Sequence, residues 1–535
     1  MNTLDSGPIA SVRAGNLREV FLVAFPLIVS SSTQAVKLFS DRLMMAWYSD
    51  VSIAAALGAG TAAFMLVSFF MGLASYANAF VAQYHGAERH SHTGLSVWQA
   101  ILFSIAAGVF LAALGYTLRN MFYWFGHSAE LAGQERSYFM ILMGGGVFAL
   151  LNSAIMCFWT GRNKTWTVVG VSFFTIFLNI AFNWALIFGA EGSRHLSIYP
   201  WPLHSIGGAL NWLARTIDSA RLGVSGAGLA TIGTDAVGFL IFFVLFLRKG
   251  SRVEYGTWPS RIFDSSLMWR MIRFGFGNGM QMILDIGAFA VFNIIMGMYP
   301  LTAFGGNIGA ASGIAISVNG VAFVPMLGVG AAASIMVAHG IGSENIPFAE
   351  RAVKNARILV TLYMVCMCLL FEVFPHFLVS IFTPEGHMNP ETARMAVHFV
   401  RFAGCFCIAD GFFILYGNAI RGAGDTKFSM WMMAIMAWAF FAIPCMIAFA
   451  LGASPYVLWS IIVFYAVISG AVFSLRYRQG KWKKMRVIED SGRFPARRPA
   501  SIRILPVDIA DANVVVTEES EDEIGENASD KKRSN

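Results

Sequence analysis

Apolar positions run along this chain in long blocks rather than in the strict alternation of strands or the narrow stripe of a soluble helix. A helix needs about 20 apolar residues to cross a bilayer, and stretches such as 100–116, 165–188 and 456–475 come close to that length or exceed it. The pattern predicts twelve spanning helices, near 17–48, 52–83, 94–116, 136–160, 165–188 and 226–247, then 268–298, 303–338, 352–374, 396–420, 428–452 and 456–476. The expected fold class is therefore all-α, a polytopic membrane protein.

The polar intervals between the blocks set the orientation. If the N-terminus is cytoplasmic, alternate loops should be rich in Lys and Arg. They hold Arg89, then Arg162 and Lys164, then Arg248, Lys249, Arg252 and Arg261, then Arg351 and Lys354, then Arg421 and Lys427, and last Arg478, Lys481, Lys483 and Lys484. The opposite loops carry fewer, although Arg119, Arg194, Arg215 and Arg221 reduce the contrast. The expectation is a multi-pass protein of the cell (inner) membrane with both termini inside. No cleavable leader is expected, because the polar start 1–18 runs into a span too long for one.

Two halves of the chain repeat each other. Val81-Ala82-Gln83-Tyr84-His85-Gly86 closes the second block and Val337-Ala338-His339-Gly340-Ile341-Gly342 closes the eighth. The fourth block ends in Gly161-Arg162-Asn163-Lys164-Thr165, and the tenth in Arg421-Gly422-Ala423-Gly424-Asp425-Thr426-Lys427. Six helices is an even number, so the copies share one orientation, and a pseudo-two-fold axis along the membrane normal should relate two six-helix lobes around a central cavity. The expected organisation is an N-terminal segment 1–16, an N-lobe 17–247, a basic crossover 248–267, a C-lobe 268–476 and a polar tail 477–535. Within the N-lobe, 191–224 interrupts the pattern; Leu210, Leu213 and Ile217 share a face there, the mark of an interfacial amphipathic helix. The tail turns from basic to acidic and is expected to be disordered.

Composition agrees: 56% of the 535 residues are hydrophobic and 13% charged, with a mean hydropathy of +0.61. The net charge of +7 lies in short loops and tails rather than on one soluble face, so it reports topology and not a nucleic-acid partner. All six cysteines fall in apolar blocks, where thiols behave as small hydrophobes.

Against this background, an ionisable side chain deep in a span costs several kcal/mol, about 2.5–3.5 on insertion scales, and is a functional candidate by default. Four acids qualify: Asp41, Asp235, Asp285 and Asp410. Two carboxylates facing one cavity, as Asp285 and Asp410 would, cannot both stay charged without a neutralising proton or cation. Asn179 and Asn183 are one helical turn apart, as are Thr231 and Asp235, so each pair shares a face. Lys37, a turn before Asp41, and the adjacent Arg42 would hold Asp41 ionised. His85, His90 and His92 have a spacing that could chelate a metal, but a solvated loop is the simpler expectation.

The chain resembles the multidrug and toxic compound extrusion family across about residues 15–480. The resemblance rests on Pro26 followed by Asp41, the Val-Ala-Gln-x-x-Gly close of the second block, Asn179-x-x-x-Asn183 with Leu186-Ile187-Phe188-Gly189, and Gly226-Ala227-Gly228-Leu229-Ala230-Thr231. In the second half it rests on Gln281-x-x-x-Asp285, Ala409-Asp410-Gly411 and the Arg421–Lys427 string. It implies cation-coupled export of organic cations and drugs through alternating access. By the same resemblance, Asp285 and Asp410 form an ion site that takes either a proton or, as a metal, sodium. In the norfloxacin-efflux branch the position of Asp285 is usually Glu, so here the carboxylate is one methylene shorter. The resemblance also makes Asp41, Asn179, Asn183 and Thr231 N-lobe cavity residues, which Asp235 joins by sharing a helix face with Thr231, and Pro26 a helix kink.

No phosphate-binding glycine loop, nucleophile elbow or zinc-protease spacing appears, which disfavours an ATP-driven pump or an enzyme. No cofactor is expected beyond the coupling ion. The expected partners are the lipid bilayer and small organic cations, with the protein a monomer. The nearest alternative is a flippase for lipid-linked saccharides, to which Lys37 and Arg42 would lend a cationic cavity; a polytopic membrane enzyme is more remote.

Overall fold

The long apolar blocks fold as helices because only intra-segment hydrogen bonds can satisfy the backbone in hydrocarbon. The computed structural model describes residues 15–124, 126–188, 222–300, 306–381 and 389–489. Among these, twelve helices are long and apolar enough to span a bilayer. They are α1 (Leu17–Tyr48), α2 (Val51–Gly86), α3 (His90–Trp124), α4 (Ala129–Thr160), α5 (Thr165–Phe188), α6 (Val224–Phe246), α7 (Ser265–Met298), α8 (Ile308–Gly342), α9 (Ile346–Val373), α10 (Pro390–Ala423), α11 (Thr426–Ala450) and α12 (Pro455–Arg478). The expected insertion at 191–224 lies outside the described residues except for its last three positions, as do the first fourteen residues and the tail from 490 onward.

Caps explain where several spans begin. The Asp264 side chain accepts the Leu267 N–H, so α7 starts at Ser265, three residues before the sequence pattern suggests. Asn16, Ser128, Asn307, Asn345 and Asn389 cap α1, α4, α8, α9 and α10 in the same way, each cap contributing about 1 kcal/mol. The crossover contains a short helix, Lys249–Tyr255, closed by Gly256 in the left-handed region. α3 also starts early, at His90, so His90 and His92 belong to its first turn and not to a solvated loop.

The spans form two six-helix lobes. The C-lobe core is one large apolar cluster over α7–α12; it also takes in Val20, Val23, Ala24 and Leu27 from the first turns of α1. The N-lobe core divides into two clusters, one around Phe139, Met143 and Trp184 and the other around Phe158, Trp159 and Phe246. A fourth cluster lies between the lobes and joins Tyr76, Phe80 and Tyr84 of α2 to Leu267 and Met271 of α7.

The lobes meet along α2–α7 and α1–α8. Small residues allow it: a Cβ on Gly72 of α2 would stand 2.6 Å from the Gly279 Cα of α7. Where α1 and α8 cross, a Cβ on Gly328 would collide with the Ile28 backbone; each of these helices carries an interior proline, Pro26 and Pro325. Hydrogen bonds tie the lobes together at the face where α1 begins and α2, α8 and α10 end. Asn278 Nδ2 donates to Gly72 O at 2.6 Å, Tyr76 Oη to Arg421 O at 2.9 Å, and Gln83 Nε2 to Gly422 O at 3.1 Å. His339 Nε2 lies 2.6 Å from Gly161 O, and Asn355 Nδ2 donates to Gly15 O at 2.7 Å. The basic loops sit at these same helix ends, so this is the basic face.

Candidate functional site

The N-lobe site begins with a change of character along one face of α1. Its buried positions are apolar at Val20, Ala24 and Leu27, then polar at Ser30, Thr33 and Lys37. That stripe, continued by one more turn, reaches Asp41. The neighbouring α5 runs parallel to α1 in a constant register: Ser30 Oγ lies 3.2 Å from Ser172 Oγ, and eleven residues further along both helices Asn183 Nδ2 donates to Asp41 Oδ1. α6 runs antiparallel to α1, so two one-turn pairs face each other. Thr231 Oγ1 donates to Asp41 Oδ2 at 3.3 Å, and Lys37 Nζ donates to Asp235 Oδ1 at 3.0 Å. Asn183 Nδ2 also reaches Asn179 Oδ1 at 3.1 Å.

All five N-lobe candidates therefore stand in one place. The expected partnership of Asp41 with Lys37 or Arg42 does not form: the Lys37 ammonium is committed to Asp235, Arg42 is exposed, and Asp41 is held by neutral amide and hydroxyl donors. Lys37 still attracts Asp41 through space. The asparagines are not saturated, since Asn179 Nδ2 and Asn183 Oδ1 are buried without a partner.

The C-lobe site is built differently. Asp285 on α7 and Asp410 on α10 are both half-buried and close enough for their charges to repel. Neither makes a hydrogen bond or an ion pair among the described residues. Arg421, at the basic-face end of α10, attracts Asp285 through space but spends its donors on amide oxygens. It reaches Asn278 Oδ1 at 3.0 Å, Gln281 Oε1 at 3.4 Å and Asn418 Oδ1 at 2.6 Å. Gln281 lies one turn before Asp285 on the same face of α7, so the guanidinium is parked a turn away and the carboxylates are left uncommitted. Tyr465, buried on α12, stands within the field of both acids.

Sequence reasoning placed Arg421 in a repeat motif but not in the site. Only part of its signal lay in the sequence, Asn418 one turn before it on α10; Asn278 and Gln281 come from α7, 143 and 140 residues away. The histidines fall elsewhere, at the basic face, where the His85 ring packs 5.5 Å from His90 and 5.3 Å from His339 across the seam. No group of three His, Cys, Asp or Glu side chains among the described residues is arranged to hold a metal ion.

Twelve spans in two parallel six-helix lobes, with buried charge at mid-span on both sides of the division, define a membrane transporter. The chain matches the MatE family over residues 26–185 and 279–447 and belongs to that family. A probable multidrug resistance protein NorM of Rhodopseudomonas palustris is 23% identical over 483 residues, covering 89% of this chain and 96% of its own length. The probable NorM of Thermotoga maritima is 23% identical over 483 residues, covering 88% and 94%. Among solved structures, a MOP superfamily transporter from Pyrococcus furiosus, described as having a binding pocket of reverse polarity, superposes with a TM-score of 0.74 at 17% identity over 88% of this chain and 97% of that one. Its likeness concerns the fold.

Proposed function

We propose that this transporter exports organic cations and drugs by antiport, taking in a proton or a sodium ion in exchange. The observation that carries the proposal is the uncommitted pair in the C-lobe. Two half-buried carboxylates lie in an apolar bundle close enough to repel, and no side chain among the described residues bonds to either, so ionisation of the pair would leave negative charge uncompensated. Such a charge is costly in hydrocarbon, so the site is neutralised by a mobile cation, and a proton, a sodium ion or a cationic drug compete for it. The drug-resistance names of the relatives agree with this substrate class.

The conformation fits alternating access. Backbone contacts and hydrogen bonds between the lobes gather at the basic face, which supports a state closed there and open toward the other side. By the distribution of Lys and Arg, the basic face is cytoplasmic and the membrane is the cell membrane. Asp41, Asn179, Asn183 and Thr231 form a second polar wall in the N-lobe, where the Lys37–Asp235 pair already balances one acid. That pairing also removes Lys37 as a free cation for pyrophosphate, so nothing favours the flippase. Transport needs no cofactor beyond the coupling ion, and a monomer contains both sites.

The test is ethidium efflux from proteoliposomes under an imposed pH gradient or an imposed sodium gradient, each alone. One of the two drives efflux in the unaltered protein, and Asp410→Asn abolishes it while the protein keeps its size-exclusion profile. Full efflux by Asp410→Asn would remove the C-lobe pair from the mechanism.

A further inference from the structure

The chain does not leave the transporter at the end of α12. After Arg478, a single 3-10 turn, Lys481–Lys484, folds the chain back across the basic face. The segment 480–488 is basic, yet three of its side chains are buried: Trp482 at 1% exposure, Val487 at 2% and Ile488 at 5%. Most of it is fastened to the C-lobe. Trp482 stacks on Tyr477 of α12 with ring centres 5.1 Å apart, and its Nε1 donates to Tyr477 O at 3.1 Å. Lys483 pairs with Glu350 of α9, and Arg486 Nη1 lies 3.2 Å from Glu344 Oε1 in the turn after α8.

Its last two residues do something else. Val487 and Ile488 belong to the apolar cluster between the lobes, together with Tyr76, Phe80 and Tyr84 of α2 and Cys157 of α4. The Val487 N–H donates to Gln83 Oε1 at 3.0 Å, while the Nε2 of the same fully buried glutamine donates to Gly422 O. Gln83 of the N-lobe is thus gripped on one side by α10 and on the other by the segment after α12. The chain fits because position 424 is glycine: a Cβ there would press to 3.0 Å from Val487 Cγ1.

We propose that residues 480–488 are a strap that travels with the C-lobe and latches the basic face shut, with Val487, Ile488 and the Gln83 clasp as the releasable hook. This rests on the alternating-access reading above. Opening toward the basic face then requires only the hook to leave the N-lobe; the ion pairs of Lys483 and Arg486 stay intact throughout the cycle.

Cys157, 3% exposed beneath the hook, is a native reporter. In full-length protein, its reaction with a membrane-impermeant maleimide from the basic side is read by mass spectrometry of the Cys157 peptide. Val487→Asp should speed this labelling by about tenfold or more, as a shift of population toward the opened state. Because such a variant could simply misfold, the second arm uses Gln83→Cys with Val487→Cys, joined by a short cleavable thiosulfonate linker. The joined protein should label slowly at Cys157 and lose ethidium efflux by about tenfold, recovering when the linker is reduced. An unchanged labelling rate in Val487→Asp, or full efflux through the joined protein, overturns the strap. If the unjoined protein exports nothing under either gradient, the antiport reading fails instead, and the labelling comparison alone decides the strap.

Discussion

At Lys37 and Asp235, two opposite charges are held 3.0 Å apart with side-chain exposures of only 11% and 22%. Removing one partner from such a pair strands the other, at a cost of about 3–5 kcal/mol, whereas replacing both with apolar groups of similar size is close to neutral. Lys37→Met should therefore lower the thermal midpoint in detergent sharply, and adding Asp235→Leu should recover most of the loss. A double variant as unstable as the single one would mean that the pair is not the source. Asn183→Leu tests the other half of the network: it leaves Asp41 with Thr231 alone and should cost about 1–3 kcal/mol, the penalty for an unmade buried hydrogen bond, measured as a drop in the same midpoint. At this scale the sequence marked polar side chains that the structure gathers, but not which joined which. The acids and amides stood out because a polar side chain in an apolar span is conspicuous. The preference of Lys37 for Asp235 over Asp41, its own neighbour by one turn, depends on α6 arriving antiparallel from 198 residues away.

At the level of helices, the seam is set by how closely backbones approach. Gly342 at the end of α8 lies so close to Gln83 that an added Cβ would collide with the Gln83 carbonyl oxygen, which is backbone and cannot swing aside. Gly342→Ala should force α8 away from α2 and loosen the closed basic face. Trypsin cleavage at the basic loops, including Arg162 and Arg89, should quicken in the variant; cleavage at the unaltered rate would show that the helices absorb the extra methyl elsewhere. Here the sequence was more informative. The twelve spans follow from length and hydropathy, and the matched endings of α2 and α8 pointed to equivalent roles, since both place small residues at the lobe boundary. Helix starts shifted by a few residues where a cap lay outside the apolar block, as Asp264 does for α7. The burial of Val487 and Ile488 was not legible, because its partner Gln83 lies 404 residues earlier and nothing local marks a basic loop as part of a core.

For the molecule as a whole, the proposed exchange at the C-lobe pair has an electrical signature. If one proton or sodium ion replaces one monovalent drug cation at that pair, a full cycle moves no net charge across the membrane. A potential imposed by potassium and valinomycin without an ion gradient should then fail to drive ethidium efflux, while a divalent organic cation should respond to it; ethidium efflux driven by potential alone would rule out one-for-one exchange. The amide cradle around Arg421 has a consequence for speed. Were the guanidinium clamped directly onto Asp285, that carboxylate would be spent and Asp410 alone would face a cation; were it absent, two bare acids would grip an arriving ion more tightly. Held a turn away, the arginine softens the well without filling it, and an exchanger can turn over no faster than its most tenacious passenger departs.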